Sequence, residues 1–117
     1  MVEARQAMLL QRVLGGADKM SAREALWIAT RGGANVLGRP ECGRLAPGKR
    51  ADIAIWDVFG VESAGSWDPA ALLLAGPNRV RDLIVQGRQV VRDGQLTTID
   101  MPRIIARQNH LAAQLWS

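Results

Sequence analysis

Histidine and cysteine occur once each in the 117 residues, as His110 and Cys42. A single cysteine excludes a disulfide within the chain, and the reducing cytoplasm is the expected compartment. With no histidine beside it, Cys42 reads as an incidental loop residue rather than a nucleophile or ligand. A catalytic zinc normally takes three protein ligands with histidine prominent, and one histidine cannot supply them. His110 falls in the last expected helix, where a solvent-facing or capping role is sufficient. No catalytic, cofactor-binding or metal-binding residue is therefore expected in this chain.

Long apolar runs are missing too. Nothing approaches the roughly 20 residues of a membrane-spanning helix, and Met1 to Arg5 has no apolar core of the kind a signal peptide carries. No membrane partner is expected. Blocks of like charge are also absent. The net charge of +4 comes from thirteen arginines and two lysines against eleven acidic residues, but the arginines are spread from Arg5 to Arg107. The aromatics Trp27, Trp56, Phe59, Trp67 and Trp116 do not alternate with them as a base-stacking platform requires. The charge reads as a solvated basic surface, with no nucleic-acid partner.

What is present suits one domain with a core, since 48% of residues are hydrophobic. The informative stretch runs from Gly43 to Asp57. Pro47-Gly48 fits the centre of a type II turn, because proline pre-sets the first φ and glycine supplies the positive second one. Ala51 to Trp56 then reads as a short strand covered on both faces, nearly continuous in apolar residues.

The flanks follow from period and punctuation. Residues 3–14 predict a helix with Leu9, Val13, Leu10 and Leu14 along one side, stopped by Gly15-Gly16. It begins with no capping residue, which suggests that something upstream is missing. Ser21 to Glu24 forms a capping box for a second helix. Its inner stripe is Ala22, Leu26, Ala29, Gly33, Val36 and Leu37; Gly32-Gly33 either ends the helix early or, the favoured reading, marks close packing on a neighbour. Gly38 to Gly43 is a loop, and Val58 to Ser66 is irregular. Asp68 caps a short helix with Pro69 in its first turn; Ala70 to Leu74 is apolar all round, hence buried, and Gly76-Pro77 ends it. Arg79 to Thr98 reads as a β-meander with turns at Gln86-Gly87-Arg88 and Asp93-Gly94. Met101 to Trp116 is a final helix capped by Asp100, with Pro102 at its start. Asp52, Asp57, Asp82 and Asp93 lie at a turn exit or strand ends and read as caps and turn residues.

Three strings carry a resemblance. They are G-R-L-A-P-G-K-R-A-D-I-A-I-W-D at 43–57, A-T-R-G-G-A-N-V-L-G at 29–38 and V-R-D-L-I-V-Q-G-R-Q-V-V-R-D-G-Q-L at 80–96. In that order they resemble the C-terminal region of the amidohydrolase superfamily. Residues 3–12 and the G-S-W-D-P at 65–69 bring the likeness closest to the guanine, 8-oxoguanine and atrazine-type deaminase branch. The resemblance implies an α+β fold: the last barrel helix and a connecting helix, then strands of a small composite β-sandwich, then a C-terminal helix. The implied segments are residues 1–38, packed on a barrel that is absent here; 39–99, half of the sandwich with a buried helix near 69–75; and 100–117, the tail helix. A full-length member would carry zinc or iron, on ligands that would all lie upstream of Glu3. The implied function is the structural C-terminal part of a C–N hydrolase, inactive alone. The alternative is a stand-alone, non-catalytic module that self-associates. The expected partners are a second copy of the chain, as a homodimer or higher oligomer, or the missing N-terminal barrel.

Overall fold

The computed structural model of the chain describes residues 1–76 and 78–116. Pro77, expected to help end the short helix, and Ser117, the last residue of the tail segment, lie outside them. The helices are α1 (Val2–Gly15), α2 (Ala22–Trp27), α3 (Gly33–Val36), α4 (Pro69–Ala75) and α5 (Met101–Leu115). The strands β1 (Ile53–Asp57), β2 (Arg79–Val85), β3 (Arg88–Arg92) and β4 (Gln95–Leu96) form one antiparallel sheet in the order β1-β2-β3-β4. The fold is thus helices with a four-stranded antiparallel sheet. Among the described residues no helix is long and apolar enough to cross a membrane.

Local signals in the sequence set most boundaries. Ser21 accepts from the Glu24 amide while the Glu24 carboxylate takes the Ser21 N–H, so α2 opens on the expected capping box. Asp68 caps α4 through the Ala70 amide, and Asp100 caps α5 through that of Arg103. The Ala46 carbonyl accepts from the Lys49 amide at 3.1 Å, and Gly48 has φ +76°, which completes the type II turn. Both hairpin turns have two successive residues at positive φ, Gln86-Gly87 and Asp93-Gly94, the type I′ geometry that matches strand twist.

The core is small and lies where α1, α2 and α4 meet. It consists of Ala4, Met8, Ala25 and Leu74, with Met20, Ala22 and Leu26 packed against it. Leu74, 1% exposed, is the one large side chain so fully enclosed among the described residues. Arg12 reaches from α1 to the carbonyls of Lys19 and Met20 and closes the loop between the first two helices.

Helix α1 buries Ala4 and Met8 and leaves the side with Leu9, Leu10, Val13 and Leu14 open, Val13 being 81% exposed. Several expectations are corrected. The second helix is not one regular rod. Ile28–Gly32 is a π-helical segment between α2 and α3, and Val36 and Leu37 beyond it are exposed rather than part of an inner stripe. A side chain at Gly33 would meet only the Ile28 carbonyl at an ordinary 3.5 Å, and one at Gly32 would meet Trp27 of the same helix. The close approach falls at Gly43 instead, where an added Cβ would lie 2.9 Å from the Thr30 carbonyl. Only Ala70 and Leu74 of α4 are buried; Ala71 to Leu73 are half-buried and Ala75 is exposed. Strand β1 begins at Ile53 and is not covered on both faces, since Ile55 is 37% exposed. As an edge strand it has a partner on one side only.

The surface is correspondingly large. It measures 9103 Å², whereas a compact protein of this mass exposes about 6,200 Å². The radius of gyration is 17.9 Å, against about 13 Å for a compact chain of this length.

Candidate functional site

A sizeable concavity that gathers ionic side chains lies between α2–α3, the loop before β1, and β1 itself. Its volume is about 670 Å³. Leu26, Ala29, Leu37, Ile53 and Trp56 form its apolar walls, and Arg39, Cys42, Arg50 and Asp52 its polar side.

The sequence builds this polar side from the loop. The Arg50 amide bonds the Glu41 carbonyl at 2.8 Å, which closes the loop on itself. Arg39 Nε then donates to Glu41 Oε1 at 3.0 Å, and Arg50 lies 4.0 Å from Glu41 and 3.8 Å from Asp52. The Glu41 carboxyl is held below its ordinary range, first by its own backbone N–H and then by Arg39; the same bond raises Arg39. The Cys42 thiol lies 3.9 Å from a Glu41 carboxylate oxygen and 4.0 Å from one of Asp52. Two arginines and two carboxylates balance in charge around it.

The aspartates do more than the sequence discloses. Asp52 Oδ1 accepts from the Gln86 amide at 2.7 Å, across 34 residues of chain, and the neighbouring Ala51 carbonyl takes the Gly87 amide. The aspartate of the A-D-I string therefore fixes the β2–β3 turn. Asp82 does the same for the next turn: it accepts from Arg81 at 2.8 Å, Gln89 at 3.0 Å and the Asp93 amide at 3.4 Å. Its carboxyl is held below the ordinary value, chiefly by Arg81. The proximity of a positive-φ turn to the strand was the signal, but no spacing rule links residues 52 and 86. Asp57 accepts from the Phe59 amide as a local turn residue. His110 sits on the exposed face of α5, its Nε2 3.3 Å from Gln114.

Metal binding can be tested on the donor set. Among the described residues, no three of the His, Cys, Asp and Glu side chains come close enough to share an ion. The donors present do not fit a catalytic metal centre.

A connecting helix running through a loop into an edge strand, with a meander behind it, is the arrangement that the strings at 29–38, 43–57 and 80–96 imply. The Amidohydrolase family matches residues 1–90, and the chain belongs to that family. The 8-oxoguanine deaminase of Pseudomonas aeruginosa is 43% identical over 115 residues, which are 97% of this chain and 26% of that protein. Among solved structures, the zinc complex of atrazine chlorohydrolase from Arthrobacter aurescens TC1 superposes with a TM-score of 0.80 at 38% identity, over 93% of this chain and 25% of that one. An adenosine deaminase from Xanthomonas campestris with bound zinc gives 0.82 at 27% identity, over 96% and 26%. The expected likeness to the 8-oxoguanine and atrazine-type branch is borne out. The chain spans about a quarter of the length of the curated relatives it matches.

Proposed function

We propose that the chain is the C-terminal structural portion of an amidohydrolase-family enzyme that hydrolyses C–N bonds, in a deaminase acting on an aminated heterocycle. The observation that carries this reading is the coverage: relatives match 97% of this chain but about a quarter of themselves. The donor set supports it, because zinc or iron would need ligands from residues outside these 117. So does the excess surface of about 2,900 Å² over a compact protein of this mass, which suits a piece that packs on a larger body. In this reading residues 1–38 pack on the barrel, 39–99 complete the sandwich and 100–117 form the tail. The chain alone binds no metal and deaminates nothing, and the cytoplasm is its place of work.

A chimaera tests this. Residues 1–117 replace the matching quarter of the Pseudomonas aeruginosa 8-oxoguanine deaminase, and zinc content and deamination are measured. A soluble, zinc-loaded, active chimaera is the expected result. A soluble chimaera without zinc or activity overturns the reading, as does deamination by the 117-residue chain alone. The second reading, a self-associating module without chemistry, is favoured by one observation: α5 buries no residue against its own chain.

A further inference from the structure

We propose that Ile28–Gly32 is a two-register element. It is π-helical while Gly43 lies against it, and it becomes α-helical, with α3 turned about its axis, when that contact is lost. The element is set by contacts within this chain and is independent of the reading above.

The widened turn has its own local supports. The Gly33 amide reaches back five residues to the Ile28 carbonyl, where an α-helix would reach back four, to Ala29. The Thr30 hydroxyl donates to the Leu26 carbonyl at 2.7 Å. Bonding of this kind, four residues back, competes with the backbone ladder and bends helices. Trp27 lies over Gly32, five residues on, where an added Cβ would stand 3.2 Å from the ring. The paired Gly32-Gly33 leaves the backbone free to take either pitch.

The loop makes the choice between pitches. Gly43 has φ +83°, and a Cβ added there would lie 2.9 Å from the Thr30 carbonyl and 3.0 Å from both the Arg31 Cα and the Ala34 Cβ. Bare backbone therefore rests flat on the widened turn. The loop is itself fastened: the Arg39 amide bonds the Ala34 carbonyl at 2.9 Å, Cys42 bonds Arg39 at 3.0 Å and Arg50 bonds Glu41 at 2.8 Å.

A π-turn is an α-helix carrying one residue in excess. Straightening it at constant length turns everything beyond it by one residue's rotation, about 100°. Gly33 then takes the place of Ala34, and Ala34 that of Asn35. Both registers thus set a small residue opposite Gly43. Little else is lost, because Ala34 is the one buried residue of α3 and Val36 and Leu37 are already exposed. The straight register is also the one that the 3.6-residue period favours, with Gly33 on the inner stripe. The two settings differ chiefly in the contact of Ala34 with Gly43. Ala29, Thr30, Gly33 and Ala34 line the concavity of about 670 Å³, so the register shapes one of its walls. Single π-turns occur often at functional sites, and here the turn gives the concavity a wall that can be reset.

Nuclear magnetic resonance couplings across hydrogen bonds, read in the isotope-labelled 117-residue chain, name the acceptor of each amide. In the wild type the Gly33 amide should couple to the Ile28 carbonyl. In Ala34→Leu the longer side chain cannot stand against Gly43, but in the straight register it takes the exposed place of Asn35. The coupling should then move to the Ala29 carbonyl, with helical chemical shifts kept over residues 28–37. Asn35→Leu, the control at an exposed position, should leave the Ile28 coupling in place. Coupling of Gly33 to Ala29 alone in the wild type would overturn the proposal, as would an Ile28 coupling that persists in Ala34→Leu. Loss of both couplings and of the helical shifts in Ala34→Leu would show that one register only is available, and would also refute it. Equal conversion by Asn35→Leu would show that Gly43 does not select the register. Independently, deletion of Ala29 removes the excess residue and should give a folded chain, α-helical throughout, with Ala34 still against Gly43. A deletion variant that no longer folds would overturn the two-register reading.

Discussion

The helical corner and the sheet hold together by opposite means. Where α1, α2 and α4 meet, Ala4, Met8, Ala25 and Leu74 are buried and no buried polar or charged residue is recorded among the described residues. In the sheet no residue falls in the buried class, and the fixed points are polar: Asp52 on the Gln86 amide, and Asp82 on Arg81, Gln89 and the Asp93 amide. The corner rests on a few apolar contacts converging on one leucine, while the meander rests on turns pinned by carboxylates. Apolar burial is cooperative, so it fails as a unit when its centre is removed. Pinned turns are local, and each can be loosened without the next.

Leu74→Ala should break the comparison most visibly. Removing the enclosed leucine should cost about 2–5 kcal/mol, melting α1 and α4. Hydrogen exchange should then speed up in the helices while the β2–β3 amides stay protected; loss of protection everywhere would mean that the two regions form one unit. Gly48→Val acts between them. An added side chain there meets nothing within 4 Å, so the effect is backbone strain at positive φ, about 1–3 kcal/mol, seen as a lower thermal midpoint. Asp52→Ala should cost about 1 kcal/mol, the net worth of one such bond. Its mark is faster exchange of the Gln86 amide with the Asp93 amide unchanged.

The smallest effect is the sharpest in pH. The folded Asp82 carboxyl lies below its ordinary value, so its contribution is complete above the unfolded value of about 3.9. It is lost as pH falls through the lower folded value. Asp82→Asn removes that titration. Thermal midpoints of wild type and variant should differ near neutrality and converge in acid; a gap that persists unchanged would show that the Arg81 contact does not set this carboxyl.

Much of the architecture was legible because its causes are local. Ser21 with Glu24, Asp68 with Pro69, Asp100 with Pro102, and the glycines at 48, 87 and 94 each act within four residues, and the chain obeys them. What sequence could not disclose depends on residues distant in the chain. The bond from Asp52 to Gln86 has no period. The π-helical segment at Ile28–Gly32 differs from an α-turn by one residue, which a 3.6-residue pattern cannot separate. Which residues of α1 are enclosed is also a matter of distant chain: Ala4 and Met8 are buried where α2 and α4 meet that helix. The apolar run of β1 read as a strand covered on both faces, yet Ile55 is left open. The family was legible for a different reason: two of its strings, at 43–57 and 80–96, contain the tight turns at Gly48, Gly87 and Gly94, where positive φ leaves few residues to choose from.

The reach of Asp52 also has a bearing on the order in which the sheet assembles. The two hairpins of the meander close over a handful of residues, which takes microseconds, and their Gln86-Gly87 and Asp93-Gly94 turns are built in. Strand β1 joins only by closing the loop 58–78, 21 residues long, onto β2, and long-range closure is the slow step in folding. When β1 arrives, the left-handed Gln86 amide is already presented, and Asp52 locks to it. The aspartate thus acts last, as a latch on a preformed hairpin, so its loss should hasten unfolding while leaving the folding rate nearly unchanged.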